Sequence, residues 1–550
     1  MSCCVQSVQA GVSLSTSLKD LRLSGNKLRD LPLELHIMSQ LSVLHLKDNN
    51  FGATMHEVIE TFSIPELLDF LKQLHETETT QVLSLQDRGL TDIPGIVKRC
   101  KDLKKLDFSK NQCKHISSFV GLLVHITDLN LRGNRLKDCP VEIGTMTKMK
   151  LFDLGENRLK MVPDCLASLH RMNLLWLDNN AISKIPTWVA DLESLQYLNL
   201  DYNKVQTLEQ NFGHLRSLRT LLLRSNDLLQ FPESVCNITD LEELNLNDNK
   251  KLFVLPGAIL QLRSLTTLQM DDCGLLRLHD SIGFCTSLRF LSVSGNNIAM
   301  IPPTFSSLVQ LEILNVASNK IVFFPPVCHM TGLVQLNCSS NEISTLSLEI
   351  GDLIGMEEFN LADNRIVDVP FTIGTMRSLT ELNLQRNRLK GLPPSIGMCE
   401  NLQQLRLHSN LFVPGSLPET ISALTRLEVL TLRDNELGRD APGFVLGLTN
   451  LKTLTLGKNK QQKLPDKELQ GANAWDTEWM HTPRPITPRV DPKLFPDSRV
   501  YYPSSGDEEP VKSPSSRGMK SPGSKSAASS PLGVLGGASP PRRGRKKGKK

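Results

Sequence analysis

Apolar residues recur at fixed offsets along most of this 550-residue chain. The stretch Leu379 to Asn401 shows the unit. Leu379, Leu382 and Leu384 are separated by polar residues, Asn387 follows, and Leu389, Leu392, Pro393 and Ile396 carry the chain onward. Leu402 opens the same spacing again, so the period is 23 residues. The alternation around Leu382 and Leu384 predicts a strand of about three residues. Such a strand cannot bury its own leucines, so each unit depends on stacking against its neighbours. Asn387 lies where the chain turns off the strand, and its amide suits backbone groups of adjacent turns, predicting a ladder of asparagines. Leu-Pro then opens the return segment, where the missing proline N–H deprives no sheet partner.

Nineteen such units can be counted, with ladder positions running from Asn26 to Asn459. Arg88 and Cys273 stand where the other units have asparagine. This period lies within the 20–29 residues of leucine-rich repeats. The expected fold is therefore α/β: a right-handed leucine-rich-repeat solenoid, a curved horseshoe with a parallel sheet on its concave face. Residues 1–17 form an N-terminal segment, 18–465 the solenoid, 466–481 a cap or linker, and 482–550 a disordered tail.

One step is irregular. Asn49 to Arg88 spans 39 residues, 16 more than a standard unit. Within this insertion, near 50–79, Ser63 and Glu66 have capping-box spacing and Pro65 suits an early helical position. Leu67, Leu68, Leu71 and Leu74 fall on one helical face. The spacing predicts an extra helix over Ser63–His75, packed on the convex side or at a kink between repeats, with Arg88 marking a local break in the ladder. At the other end, Lys463-Leu464-Pro465 begins a last return segment, and Trp475 and Trp479 are placed to cover its open end.

The remainder differs in composition. Residues 460–550 hold 13 of the 31 prolines, and 18 Lys/Arg against 9 Asp/Glu, a net of +9. The whole-chain charge of +4 thus joins a mildly acidic solenoid to a basic arm ending RRGRKKGKK. Thr482, Thr487, Ser513, Ser521, Ser530 and Ser539 each precede proline and are candidate phosphorylation sites; phosphate there would add up to about −2 charge each. The basic end suits nuclear import, nucleic acid or an anionic membrane surface.

The twelve cysteines are scattered, with no CxxC pair and no zinc spacing, so neither a disulfide framework nor a metal site is expected. The N-terminus lacks a basic region followed by an apolar run, and no apolar stretch is long enough to cross a bilayer. A cytoplasmic monomer is expected, with a nuclear or membrane-peripheral pool through the basic tail or acylation of Cys3 and Cys4. No nucleotide-binding, nucleophile-elbow, metalloprotease or kinase signature occurs, so an enzyme is not expected and no cofactor is implied.

Specificity should lie on the concave face, where the second, third, fifth, seventh and eighth residues of each unit escape the core. Trp176, Tyr197 and Tyr202 occupy such positions in adjacent units, and Arg219, Leu222 and Arg224 follow in the next. Trp, Tyr and Arg dominate binding energetics. Beyond them the columns turn acidic, with Glu242, Glu243, Asp248, Asp271 and Asp272, which would steer a basic partner.

The unit L-xx-L-x-L-xx-N-x-L-xx-LP-xx-I, from about Leu18 to Pro465, resembles the short repeats of the intracellular Ras-binding group of leucine-rich-repeat proteins. That group includes suppressor-of-clear (Shoc-type) scaffolds and erbin and scribble relatives. The resemblance implies a non-catalytic scaffold whose concave face holds a Ras-type small GTPase, a phosphatase catalytic subunit, or both. Shoc-type scaffolds add an RVxF-like phosphatase-docking motif. Here Arg499-Val500-Tyr501-Tyr502 has tyrosine where phenylalanine is expected, and Lys320-Ile321-Val322-Phe323 lies inside a repeat with Ile321 in the core. There is no PDZ domain. Two alternatives stand beside signalling scaffold: a nucleic-acid or chromatin adaptor acting through the tail, and a phosphatase regulatory subunit.

Overall fold

The computed structural model describes residues 17–459, apart from 328 and 439–442. The chain divides into two units, Met1–Pro488 and Arg489–Lys550, and all described residues lie in the first. Each repeat contributes one three-residue strand. Seventeen strands, from Val82–Ser84 to Thr453–Thr455, form one parallel sheet in chain order. Every pairing joins sequence neighbours in register: Leu83 faces Leu106, Leu175 faces Leu198, and Leu405 faces Leu430. The sheet is an open ribbon, because no pairing among the described residues joins its first strand to its last.

The leucines that the spacing sends inward merge into one continuous apolar core. Most return segments carry a five-residue 3-10 helix, such as Val141–Thr145 or Pro394–Met398, and proline usually stands at its N-cap. Fixed φ and a missing donor suit that place.

Sixteen of the described ladder positions from Asn49 to Asn459 work alike. Asn203 shows the pattern: its Nδ2 donates to Leu177 O (2.9 Å) in the previous repeat and Leu200 O (3.0 Å) in its own, while its Oδ1 accepts from Ile182 N (2.9 Å). A buried amide thus satisfies three backbone groups that the turn would otherwise orphan. Cys273 supplies only part of this. Its thiol donates to Leu246 O (3.1 Å), but Leu252 N–H turns instead to Asn249 O (3.1 Å).

The insertion holds two helices rather than one: α1, Ala53–Thr61, and α2, Ile64–Thr80. Ser63 caps α2 with the expected reciprocal bonds, Ser63 N to Glu66 Oε2 (2.8 Å) and Glu66 N to Ser63 Oγ (3.5 Å). The buried face is Leu67, Phe70, Leu71, Leu74 and Thr77; Leu68 is only half-buried, and Phe70 takes the place expected of it. The helices interrupt the sheet, leaving Asp20–Arg22 and Val43–His45 as a separate two-stranded sheet. Arg88 explains why its position is not asparagine. Its guanidinium binds Asp69 of α2 (2.8 Å) and covers the Phe62 ring at 5.6 Å. Glu57 of α1 accepts from Thr91 N (2.9 Å), and Thr54 Oγ1 from Gly95 N (3.0 Å), completing the attachment.

Candidate functional site

Each unit is numbered here from its first core residue, position 1, to the ladder residue, position 9. Position 8 has a backbone property shared by all nineteen units. Its φ is positive, between +52° and +72°, from Gly25 to Lys458. The chain leaves each strand through a left-handed residue, which favours Gly, Asn and Asp and disfavours bulky side chains. Asp48, Gly133, Asn179, Ser225, Asp363 and Asp434 fit that preference. Tyr202, at φ +55°, does not, nor do Lys110, Glu156, Arg386 and Lys458; among these Tyr202 is the aromatic one, held in the strained conformation on the strand face.

The N–H of position 7 also needs an acceptor. Asparagine at position 5 usually provides it: Asn130 accepts from Arg132 N (3.0 Å), Asn199 from Asp201 N (2.9 Å), and Asn245 from Asn247 N (3.0 Å). Aspartate does the same at Asp107 and Asp153, but where position 5 is Leu222, Gln269 or Ser292, position 7 of the previous repeat serves instead. Leu222 cannot accept, and Asp201 Oδ1 takes the Arg224 N–H (2.6 Å). Asn247 serves Asp271 N, and Asp271 serves Ser294 N, both at 2.6 Å. Asp201 and Asp271 are therefore half-buried carboxylates held by backbone N–H groups.

On this frame the aromatic residues divide. Tyr197 is 5% exposed, its ring tilted against that of half-buried Trp176 with centroids 5.0 Å apart. Tyr202 stands out from the surface at 43% exposure. The Arg224 guanidinium lies over its ring at 5.5 Å and also binds Asp248 (3.0 Å). Arg219 pairs with Glu242, and Leu222 is half-buried beside them. A recess of about 580 Å³ opens here, lined by Tyr202, Arg224, Asp248, Lys250 and Lys251 among others. Of the acidic residues expected to face a partner, Asp271 is turned to Ser292 Oγ (2.6 Å), whereas Asp272 is exposed.

Sequence reasoning missed the charged groups on either side of Trp176. Arg132 binds Glu156 (3.0 Å), Asp153 (3.4 Å) and, two repeats away, Asp178 (2.5 Å). Asp153 and Asp178 are buried. Burial works against the Arg132 cation, but the hydrogen bond to Asp178 and the surrounding negative charge outweigh it and hold its pKa above the ordinary value. Burial pushes the Asp153 carboxyl up to about 6 against the pull of Arg132. Burial likewise raises Asp201 to about 7, and raises Glu243, Asp271 and Asp272. The sheet face from Arg132 to Asp272 is thus a run of carboxylates that outnumber their cations, with an aromatic centre. Among the described residues Asp201 and Glu243 make no ion pair. Only the pairwise spacing of these acids could have signalled the network, because its contacts join residues up to 46 positions apart.

The described cysteines are unpaired, and eight of the nine are buried. Burial pushes Cys113, Cys236, Cys273 and Cys285 up to about 12, so they are inert core residues. No helix among the described residues is long and apolar enough to cross a membrane, and none of their His, Cys, Asp and Glu side chains cluster as a metal site would require. The candidate phosphorylation sites, Cys3 and Cys4, Trp475 and Trp479, Arg499–Tyr502 and the basic end lie outside the described residues.

Residues 177–228 match one family described as leucine-rich repeat, and residues 287–308 and 378–399 match a second of the same description. No curated protein matches the chain. Among solved structures, a leucine-rich-repeat protein of Leptospira interrogans is 24% identical, covering 82% of this chain and 100% of its own, with a TM-score of 0.56. The plant peptide hormone receptor RGFR1 in complex with RGF2 is 24% identical, covering 83% of this chain and 81% of its own, TM-score 0.58. The functional domain of InlJ from Listeria monocytogenes, which includes a cysteine ladder, is 19% identical over 70% of this chain and 74% of its own, TM-score 0.55. The fold is that of a leucine-rich-repeat solenoid.

Proposed function

We propose that the protein is a non-catalytic scaffold that grips a basic segment of a protein partner on its strand face, in cytoplasmic signal transduction. The observation that carries this reading is the pairing of a strained, exposed Tyr202 with carboxylates that lack cations. Strain at an exposed aromatic residue persists where the surrounding structure enforces it, and it clusters at ligand clamps. Arginine or lysine from a partner would complete the charge of Asp201 and Glu243 and stack on Tyr202 and Trp176. The resemblance to Ras-group repeats names a small GTPase or a phosphatase catalytic subunit as that partner; in the second case the protein is a phosphatase regulatory subunit.

The test is affinity capture from cell extract with wild type, a Trp176→Ala/Tyr202→Ala variant and a chain truncated at residue 481. Loss of a captured GTPase or phosphatase with the double variant, and its retention on truncation, supports the strand face as the binding site. Partners that survive the double variant and vanish with truncation transfer the function to the basic tail, the nucleic-acid or chromatin reading. Salt-dependent binding of a DNA or RNA duplex would then accompany that loss.

A further inference from the structure

Away from the strand face, the chain leaves each ladder residue along one flank of the stack. Three to four residues past the ladder, most early repeats carry polar side chains, such as Thr91 and Asp92, Lys114 and His115, Lys137 and Asp138, Ser183 and Lys184, with Met161 beside Lys160 an isolated exception. Five consecutive later repeats carry Leu229, Phe253, Leu276, Met300, Val322 and Phe323 instead, all exposed, with Phe323 at 68% and Met300 at 61%. The fold does not require apolar residues there, since other repeats stack without them.

Their shared place in five successive stacked repeats lines these side chains up, and at two of the four junctions the backbones also join. Leu276 N–H donates to Phe253 O (3.1 Å), Val322 N–H donates to Ala299 O (3.4 Å), and Val254 and Arg277 form a parallel bridge. The stripe begins at Leu229, and the next unit is one residue longer. Lys250 and Lys251 fit between Asn249 and core residue Leu252, and Phe253 is set outward. Its border is basic: Lys250, Lys251, Arg277 and Lys320 are exposed and make no ion pair among the described residues, with Asp227 at the leading edge. A contiguous apolar patch rimmed by polar groups marks an interaction surface.

We propose that this flank, which meets the strand face at Lys250 and Lys251 but lies apart from its aromatic centre, is a second docking surface whose occupant is an acidic amphipathic helix. Charge complementarity selects the acid: unpaired cations on the rim favour carboxylates flanking the partner's apolar face. The spacing selects the helix. Successive repeats lie about 4.8 Å apart, near the roughly 5.4 Å rise per turn at which a helix presents apolar residues. Five repeats span roughly 19 Å, the length of about 13 helical residues. The chain's own residues 460–550, with a net of +9, do not complement that rim.

The experiment titrates a fluorescein-labelled 18-residue peptide, with leucines at i, i+4, i+7 and i+11 and glutamates flanking them, against the full chain by fluorescence anisotropy. Saturable binding is expected, weakened at least tenfold by Leu276→Glu/Met300→Glu, by exchanging the peptide glutamates for lysine, or by scrambling its order. Trp176→Ala/Tyr202→Ala should leave it unchanged, which separates this surface from the strand face. Both substituted flank side chains are exposed, and an unchanged circular dichroism spectrum and thermal midpoint will show that the variant is folded. Equal binding of the scrambled peptide, or binding indifferent to the flank variant, overturns the proposal. So does self-association in sedimentation velocity that the flank variant abolishes, which assigns the stripe to a second copy. Pelleting with phosphatidylserine vesicles that depends on the stripe, without peptide binding, assigns it to a lipid surface and overturns it as well.

Discussion

Arg132 reaches Asp178 across an intervening repeat, and the residue it crosses is Gly155. A Cβ built at Gly155 would lie 2.9 Å from Asp178 Oδ1 and 2.9 Å from Arg132 Cζ, inside any real contact. Position 7 of that repeat must therefore lack a side chain for the bridge to close. The glycine is not at positive φ, so its purpose is space rather than backbone freedom.

Gly155→Ala should break this buried bridge and cost roughly 3 kcal/mol, the range for leaving a buried charge without its partner. Arg132→Met should cost a similar amount. Both penalties should shrink below about pH 6, where the Asp153 carboxyl takes up its proton. Thermal midpoints of the two variants at pH 5 and pH 8 check this; an equal loss at both would reduce the effect to crowding.

Asp201 and Asp153 make stability fall as pH rises. Each has a folded-state pKa, about 7 and about 6, above its value in an unfolded chain. The native state therefore holds protons that the unfolded chain has released between about pH 4 and pH 7, and stability is lost across that window. Asp201→Asn keeps an oxygen for the Arg224 N–H and removes the titration. Relative to wild type it should gain stability from pH 5 to pH 8, by at most about 1.4 kcal/mol for each unit of displacement. Calorimetric midpoints over that range test it, and parallel curves for the two proteins would refute it.

Tyr202→Asn should separate stability from binding. Asparagine tolerates the left-handed conformation that tyrosine resists, so the variant should be more stable by about 1 kcal/mol. The loss of its ring should weaken capture of a strand-face partner at least tenfold. A variant neither more stable nor weaker in binding would show that the tyrosine is incidental.

Arg88→Asn restores the repeat's usual ladder residue and yet should loosen the insertion, because the Asp69 ion pair and the cover over Phe62 go with the guanidinium. Hydrogen exchange in residues 53–80 is expected to speed up severalfold while the sheet from Val82 onward stays protected. Unchanged exchange would show that Glu57 and Thr54 suffice.

What could be read from the sequence was local and periodic. Leucine spacing sets the strands, the asparagines their ladder, and Ser63 with Glu66 the start of α2. Helix α1 was missed because Gly52 caps it without a side-chain bond and its apolar face is short. The left-handed column does not follow from leucine spacing, although its Asp, Asn, Ser and Gly content is visible once position 8 is aligned. The spacing places Tyr197 with the other strand-face aromatics, but third-position side chains can lie against the strand residues beside them, and Trp176 closes over this one. Arg132 was beyond reach for another reason. Its main partner is 46 residues away, and only the stack brings the two together.

Cys273 and Arg88 divide the asparagine column into runs of two, seven and eight. In a linear stack, each unit is held only by its neighbours, so stability propagates as far as the weakest joint. The lost acceptor at Cys273 makes such a joint, within the apolar flank. Pulled from its ends, the solenoid should part there first, and the halves on either side should breathe independently. A partner bridging the flank would act as a splint across that seam.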